Sequence, residues 1–96
     1  MPQYTERITL ANKRALITGG SRGLGAEIAQ VFADAGADLV ITGRDRAGLE
    51  QTQAVVQSLG RQCHCVEADL RTVEGAREVG RKTLEHFGTV DILVNN

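Results

Sequence analysis

The residues of this 96-residue chain best suited to chemistry lie in "TGGSRGLG", residues 18–25. Gly19, Gly23 and Gly25 stand in a G-x-x-x-G-x-G spacing, with Gly20, Ser21, Arg22 and Leu24 between them. An apolar run, "RALIT", precedes the stretch, and a segment of helical periodicity follows it. A strand, a glycine turn and a helix N-terminus make a ready anion site. Backbone N–H groups point outward there, and the helix dipole favours negative charge. Gly19 can take the tight turn, Gly23 can let a pyrophosphate approach the backbone, and Gly25 can let the helix pack close. The plain alternative is a glycine loop with no ligand. The strand before and the helix after favour the phosphate reading.

Three further groups bear on the same chemistry. "GRD" (43–45) follows a second apolar run. A site for NAD usually has an acidic residue here, on the ribose 2′-hydroxyl. Gly43 has no carboxylate, and Arg44 next to it fits a 2′-phosphate by charge and bidentate geometry. Arg22 can approach the same phosphate. Arg44 paired with Asp45 or with solvent is the alternative. Asp38 has about the right offset but stands at the wrong end of its strand, roughly 16 Å from the ligand end. "ADL" (68–70) offers Asp69 and Leu70 as a polar and an apolar cover for an adenine. Equally, Asp69 can cap the following helix with Thr72. Asn95 and Asn96 can tie neighbouring loops together or meet a ribose.

The elements that must position these groups follow from patterning. Apolar runs at 14–18, 38–42, 62–68 and 90–95 suit strands of a parallel sheet, the third polar enough for an edge. Between them, 24–35, 46–59 and 73–87 have helical periodicity. The expected buried faces are Leu24, Ile28, Val31, Phe32 and Ala35; then Leu49, Thr52, Val56 and Leu59; then Val73, Ala76, Thr83, Leu84 and Phe87. Gly75 and Gly80 each weaken the third helix by about 1 kcal/mol relative to Ala. Asp45 and Thr72 stand at N-cap positions, and Gly36, Gly60 and Gly88 at helix C-termini. The alternation predicts an α/β fold, the N-terminal half of a Rossmann doubly wound parallel sheet. Right-handed crossovers give the strand order 3-2-1-4, with the first two helices on one face and the third on the other. Residues 1–12 form a lead-in, and 13–96 the dinucleotide-binding half, where the ligand lies beyond the carboxyl ends of the strands.

Composition narrows the class. Hydrophobic residues are 42% and charged residues 24%, as in ordinary globular domains. A net charge of −1 gives no bulk attraction to nucleic acid or to an anionic membrane. No apolar run approaches the ~20 residues of a membrane span, and "MPQYTERITLANKR" has no leader-like apolar core. Cys63 and Cys65 share one face of a strand, poorly placed for a disulfide, while His64 points away and no second Cys/His pair completes a zinc site. A reducing, cytoplasmic setting is the expectation.

Taken together, Thr18-Gly19-Gly20-Ser21-Arg22-Gly23-Leu24-Gly25, Asp69-Leu70 and Asn95-Asn96 resemble the short-chain dehydrogenase/reductase family. They match its T-G-x-x-x-G-x-G motif, its acidic residue after the third strand, and the first half of its N-N-A-G motif. Arg44 after Gly43 looks like the NADP-preferring branch. The resemblance implies NADP(H) as cofactor, a small-molecule carbonyl or alcohol as substrate, and a homo-oligomeric parent. It implies cofactor binding by Gly19, Gly20, Ser21, Arg22, Gly23, Leu24, Gly25, Arg44, Asp69, Leu70, Asn95 and Asn96.

The family's catalytic serine and Tyr-x-x-x-Lys pair would lie beyond residue 96. Tyr4, the one tyrosine, is followed four residues later by Ile8, so no residue here is assigned as catalytic. The expectation is therefore the cofactor-binding part of an NADPH-dependent oxidoreductase. The alternative is a truncated, non-catalytic module that only binds a dinucleotide or a partner. A half-covered sheet with an open fourth strand predicts that the isolated chain associates rather than staying monomeric.

Overall fold

The computed structural model describes residues 9–96. Tyr4 and most of the expected lead-in lie outside the described residues. Each apolar run forms a strand and each periodic segment a helix. The order is β1 (Arg14–Thr18), α1 (Gly23–Asp34), β2 (Asp38–Gly43), α2 (Arg46–Ser58), β3 (Cys63–Glu67), α3 (Val73–Phe87) and β4 (Ile92–Val94). The strands make one parallel sheet in the order β3-β2-β1-β4, as the crossover rule requires. β3 and β4 are each shorter than their apolar runs.

Alternation along the strands feeds two cores. Ala15, Ile17, Leu39, Ile41 and Cys63 pack under α1 and α2, with Ala29, Ala33, Leu49 and Val56. On the other face, Val40 and Val66 meet Val79 and Phe87 of α3. The central strands are buried on both sides, which explains their near-continuous Leu, Val and Ile. Asp38 stands at the amino end of β2, where it accepts from the Gln62 N–H at 2.9 Å and pairs with Arg61 at 2.9 Å. It thus ties β2 to the loop before β3, away from the ligand end.

The helical faces differ from the periodicity reading. On α1 the buried stripe is Gly25, Ala29 and Ala33, with Ile28 and Phe32 half-buried beside it. Leu24 and Val31 are instead 66% and 48% exposed. Ile28 and Phe32 pack against the core as expected, but the helix lies so close to the turn at Gly25 that the fully buried line is one of small residues, which hydrophobic periodicity does not select. α2 buries Leu49, Thr52 and Val56 as expected, joined by Gly48, while Leu59 is exposed. α3 buries Val79, Thr83 and Phe87 at a spacing of four, leaving Val73, Ala76 and Leu84 exposed. Thr83 is compatible with the core because its hydroxyl donates to the Val79 carbonyl at 2.6 Å.

Helix ends follow the expected positions with one exception. Thr72 caps α3, its hydroxyl accepting from the Gly75 N–H at 2.9 Å. Asp45 occupies the N-cap of α2, but its side chain makes no capping bond. Gly36, Gly60 and Gly88 all take positive φ where the helices end. Both cysteines are free. The Cys65 thiol donates to the Leu49 carbonyl at 3.5 Å, while hydrogen bonding with Cys65 and burial push the Cys63 thiol up. Opposite them, the His64 ring stacks on His86, with centroids 4.4 Å apart.

The two glycines of α3 are not equivalent. A Cβ on Gly75 would lie 1.9 Å from the Asp69 carbonyl oxygen, whereas a Cβ on Gly80 would meet nothing within 4 Å among the described residues. Gly80→Ala should therefore stabilise by about 0.5–1 kcal/mol. Gly75→Ala should destabilise, by about 1–3 kcal/mol or more. Urea denaturation of the two variants separates these outcomes.

Stability should also depend on pH through His64. Burial, then His86, Lys82 and Arg46, hold His64 below its ordinary value of 6.5. Between that lowered value and 6.5 the unfolded chain binds more protons than the folded one. Stability from this site is complete above pH 6.5 and falls as the pH drops below it. Urea midpoints at pH 8 and pH 5 should show the loss, and His64→Phe should shrink it.

Candidate functional site

The turn after β1 is built around backbone contacts that only glycine permits. Gly19 turns the chain at φ +67°. The Gly20 N–H donates to the Thr42 carbonyl at 2.9 Å, and the Gly20 carbonyl accepts from the buried Thr52 hydroxyl at 2.8 Å. A Cβ on Gly25 would lie 1.9 Å from the Gly19 oxygen, and one on Gly48 would lie 2.5 Å from the Ser21 oxygen. The turn is thus held between the first turns of α1 and α2. Gly23, at φ +60°, has nothing among the described residues within 4 Å of where its Cβ would be, so the approach to its backbone is open. α1 begins without a side-chain cap and without an acidic residue in its first turn. Its leading N–H groups are therefore available to an anion.

The carboxyl ends of the four strands surround a cleft of about 790 Å³. Of the residues selected from sequence, Gly19, Ser21, Arg22, Gly23, Leu24, Arg44, Asp69, Leu70, Asn95 and Asn96 all line it. Gly20 and Gly25 do not. Both are buried, and their part is to let the backbone pack: a Cβ on Gly20 would lie 2.8 Å from that of Ile41. Thr18, Gly43, Asp45, Ala68 and Arg71 complete the lining.

Charge in the cleft is divided unevenly. Arg22, Arg44 and Arg71 all reach it. Among the described residues, Arg22 and Arg44 form no salt bridge, so Arg44 is not consumed by Asp45. Arg71 is paired. Its backbone N–H and Nε donate to Asp69 Oδ1 at 2.9 and 3.1 Å, and a terminal guanidinium nitrogen reaches Oδ2 at 3.1 Å. Those bonds hold the Asp69 carboxyl at about 2, with Arg44 adding a smaller pull. The Asp69 side chain therefore caps no helix; Thr72 alone caps α3.

The terminal asparagines tie loops together. The Asn96 N–H donates to the Thr18 hydroxyl at 2.9 Å, and the Asn96 side-chain amide donates to the Gly19 carbonyl at 3.3 Å. The Thr18 hydroxyl also lies 3.3 Å from Asn95 Oδ1. They connect the end of β4 to the glycine turn.

Sequence reasoning missed Gly48, Arg71 and the bond by which Thr52, expected only as part of a buried face, holds Gly20. Gly48 had a signal, a glycine within the first turn of a helix with no packing reason visible from the helix alone. Thr52 had a weaker one, a polar residue in an apolar stripe. Arg71 had none, because its partner is defined by the turn geometry after β3.

Comparison with known proteins agrees with this geometry. A family model described as short chain dehydrogenase matches residues 13–96. A peroxisomal 2,4-dienoyl-CoA reductase of Arabidopsis thaliana is 46% identical over 81 residues, which is 84% of this chain and 27% of the reductase. A hydroxysteroid dehydrogenase from Escherichia coli superposes with a TM-score of 0.90 at 33% identity, over 96% of this chain and 39% of that one. The RhlG/NADP active-site complex of Pseudomonas aeruginosa superposes with a TM-score of 0.86 at 39% identity, over 93% and 36% of the two chains. The chain belongs to the short-chain dehydrogenase family, whose members among these relatives are oxidoreductases. It spans about a third of the length of the curated relatives it matches. Among the described residues no helix is long and apolar enough to cross a membrane.

The Thr52–Gly20 bond offers a direct test of how the turn is held. Thr52→Val keeps the shape but leaves a buried carbonyl without its donor. It should cost about 1–3 kcal/mol of stability, read from urea denaturation, with secondary structure by circular dichroism unchanged.

Proposed function

We propose that this chain is the cofactor-binding N-terminal part of an NADPH-dependent oxidoreductase that interconverts a carbonyl and an alcohol. The observation that carries the reading is Arg44, a guanidinium without a salt bridge among the described residues that lines the cleft directly after Gly43 at the end of β2. A 2′-phosphate suits that group, and Arg22 adds a second positive charge along the same cleft. Gly43 supplies no carboxylate for a ribose 2′-hydroxyl. It is also closely packed, since a Cβ there would meet the Ser21 side chain at 3.3 Å. The NADP complex of the Pseudomonas relative is consistent with this choice.

The parts divide by chemistry. The open backbone at Gly23 and the uncapped first turn of α1 suit a pyrophosphate, with Gly19, Ser21 and Leu24 forming its walls. Gly20 and Gly25 act from beneath, by letting the turn take its shape. Asp69 and Leu70, which line the cleft after β3, suit an adenine as a polar and an apolar cover. Asn95 and Asn96 fasten the fourth strand end to the turn. The bound dinucleotide supplies hydride chemistry, and this chain's own residues hold and orient it. Proton transfer is assigned to the family's serine and Tyr-x-x-x-Lys groups, outside these 96 residues. The substrate class is a small-molecule carbonyl or alcohol, in a homo-oligomeric, cytoplasmic parent.

The test is titration of the full-length protein with NADPH and NADH, wild type beside Arg44→Asp. Loss of a charge-assisted hydrogen bond to phosphate should weaken NADPH roughly ten- to hundredfold and leave NADH little changed. An unaltered NADPH preference overturns the assignment of Arg44.

A further inference from the structure

The Asp69–Arg71 pair suggests a function for a residue that neither motif nor fold selects. Resting on the cofactor reading above, we infer that Arg71 is a positioning residue: it fixes the Asp69 carboxylate at the cleft wall as an acceptor for the exocyclic amine of the cofactor's adenine, and so makes the site distinguish adenine from an oxo-purine.

An ionised carboxylate offers about four acceptor sites. Arg71 takes three of them, two on Oδ1 from its backbone N–H and Nε, and one on Oδ2. One acceptor site on Oδ2 is left, on a residue that lines the cleft. The backbone of Asp69 is fixed as well. Its carbonyl accepts from the Thr72 N–H at 3.3 Å and from the Thr72 hydroxyl at 3.1 Å, and lies against Gly75. An aspartate on an exposed loop would otherwise lose rotamer freedom on binding. Here the three bonds from Arg71 restrict that freedom before binding, so more of the hydrogen bond appears as affinity.

The pairing also separates two tasks. Arg22 and Arg44 make no salt bridge among the described residues and remain available to phosphate. Arg71, in the same cleft, has its charge matched by Asp69. A fixed anionic acceptor favours the amino group of adenine, a donor, and opposes the carbonyl that replaces it in hypoxanthine. The discrimination is therefore one of base rather than of phosphate.

The experiment compares equilibrium binding of NADPH and its hypoxanthine analogue to the full-length protein, for wild type, Arg71→Gln and Arg71→Lys. Wild type should prefer the adenine form roughly ten- to hundredfold, as expected for a hydrogen bond to a charged group. Arg71→Gln should bring that ratio toward unity by weakening NADPH while leaving the analogue unchanged. Arg71→Lys keeps the charge without the fork and should fall between. Acid supplies a readout that mere structural support would not move. Arg71 and Arg44 are the charged groups acting on the Asp69 carboxyl, which stands at about 2 against an ordinary 3.8. In Arg71→Gln the carboxyl returns toward its ordinary 3.8, so any residual preference should begin to weaken as the pH falls through 4, where wild type keeps its own. Equal losses for both dinucleotides in Arg71→Gln overturn the inference. Failure of wild type to bind either one overturns the cofactor reading itself, and this inference with it, and is a different result.

Discussion

The carbonyl oxygen of Gly19 lies where a Cβ on residue 25 would have to be, at 1.9 Å, and the rest of the site depends on that contact. It draws the first turn of α1 onto the end of β1. The helix can then present its leading N–H groups to the cleft, and the stripe that faces the sheet must be Gly25, Ala29 and Ala33 rather than larger residues. The same device recurs after β3, where the Asp69 carbonyl leans on Gly75, again six residues later. A third contact, Ser21 on Gly48, brings α2 against the same turn. Two strand exits are therefore shaped by the absence of a side chain on the following helix. The cleft between them is bounded by backbone whose position is not adjustable.

On that frame the side chains differ by how firmly they are held. Thr52 and Thr42 fasten Gly20, and Thr18 and Asn96 fasten the end of β4, so the floor of the cleft is fixed by hydrogen bonds. Arg22 and Arg44 are exposed at its rim without ionic partners among the described residues. A rigid neutral floor with cations at the rim suits an anion that enters from solvent and is oriented by backbone donors. Of the two acidic residues in the lining, Asp45 and Asp69, Asp69 is the one held by an arginine, Arg71.

Much of this was legible beforehand. Four apolar runs rich in Val, Ile and Leu, separated by periodic segments, predict a parallel sheet, and the handedness of crossovers leaves the order 3-2-1-4. The three glycines of the turn, Arg44 after Gly43, Asp69 and the two asparagines were all selected, because each follows a strand and the strand ends must meet. The helical faces were less legible. Leu24 and Val31 read as core and are exposed, because the distance between α1 and the sheet is set by a glycine contact that hydrophobic periodicity does not encode. Gly75 read as a weak point of α3 and is instead required, because its reason lies in a carbonyl six residues earlier.

By itself, the sequence determined the class of fold, the strand order and the set of loops that face one another. These follow from local patterning and chain chirality, which act without knowledge of distant contacts. Only the tertiary structure decided which glycines line the cleft and which support it, that Asp69 is held by Arg71 rather than capping α3, and that Arg44 has no salt bridge among the described residues. Those outcomes depend on distances of a few ångströms between segments brought together by folding, and no residue type or spacing specifies them alone.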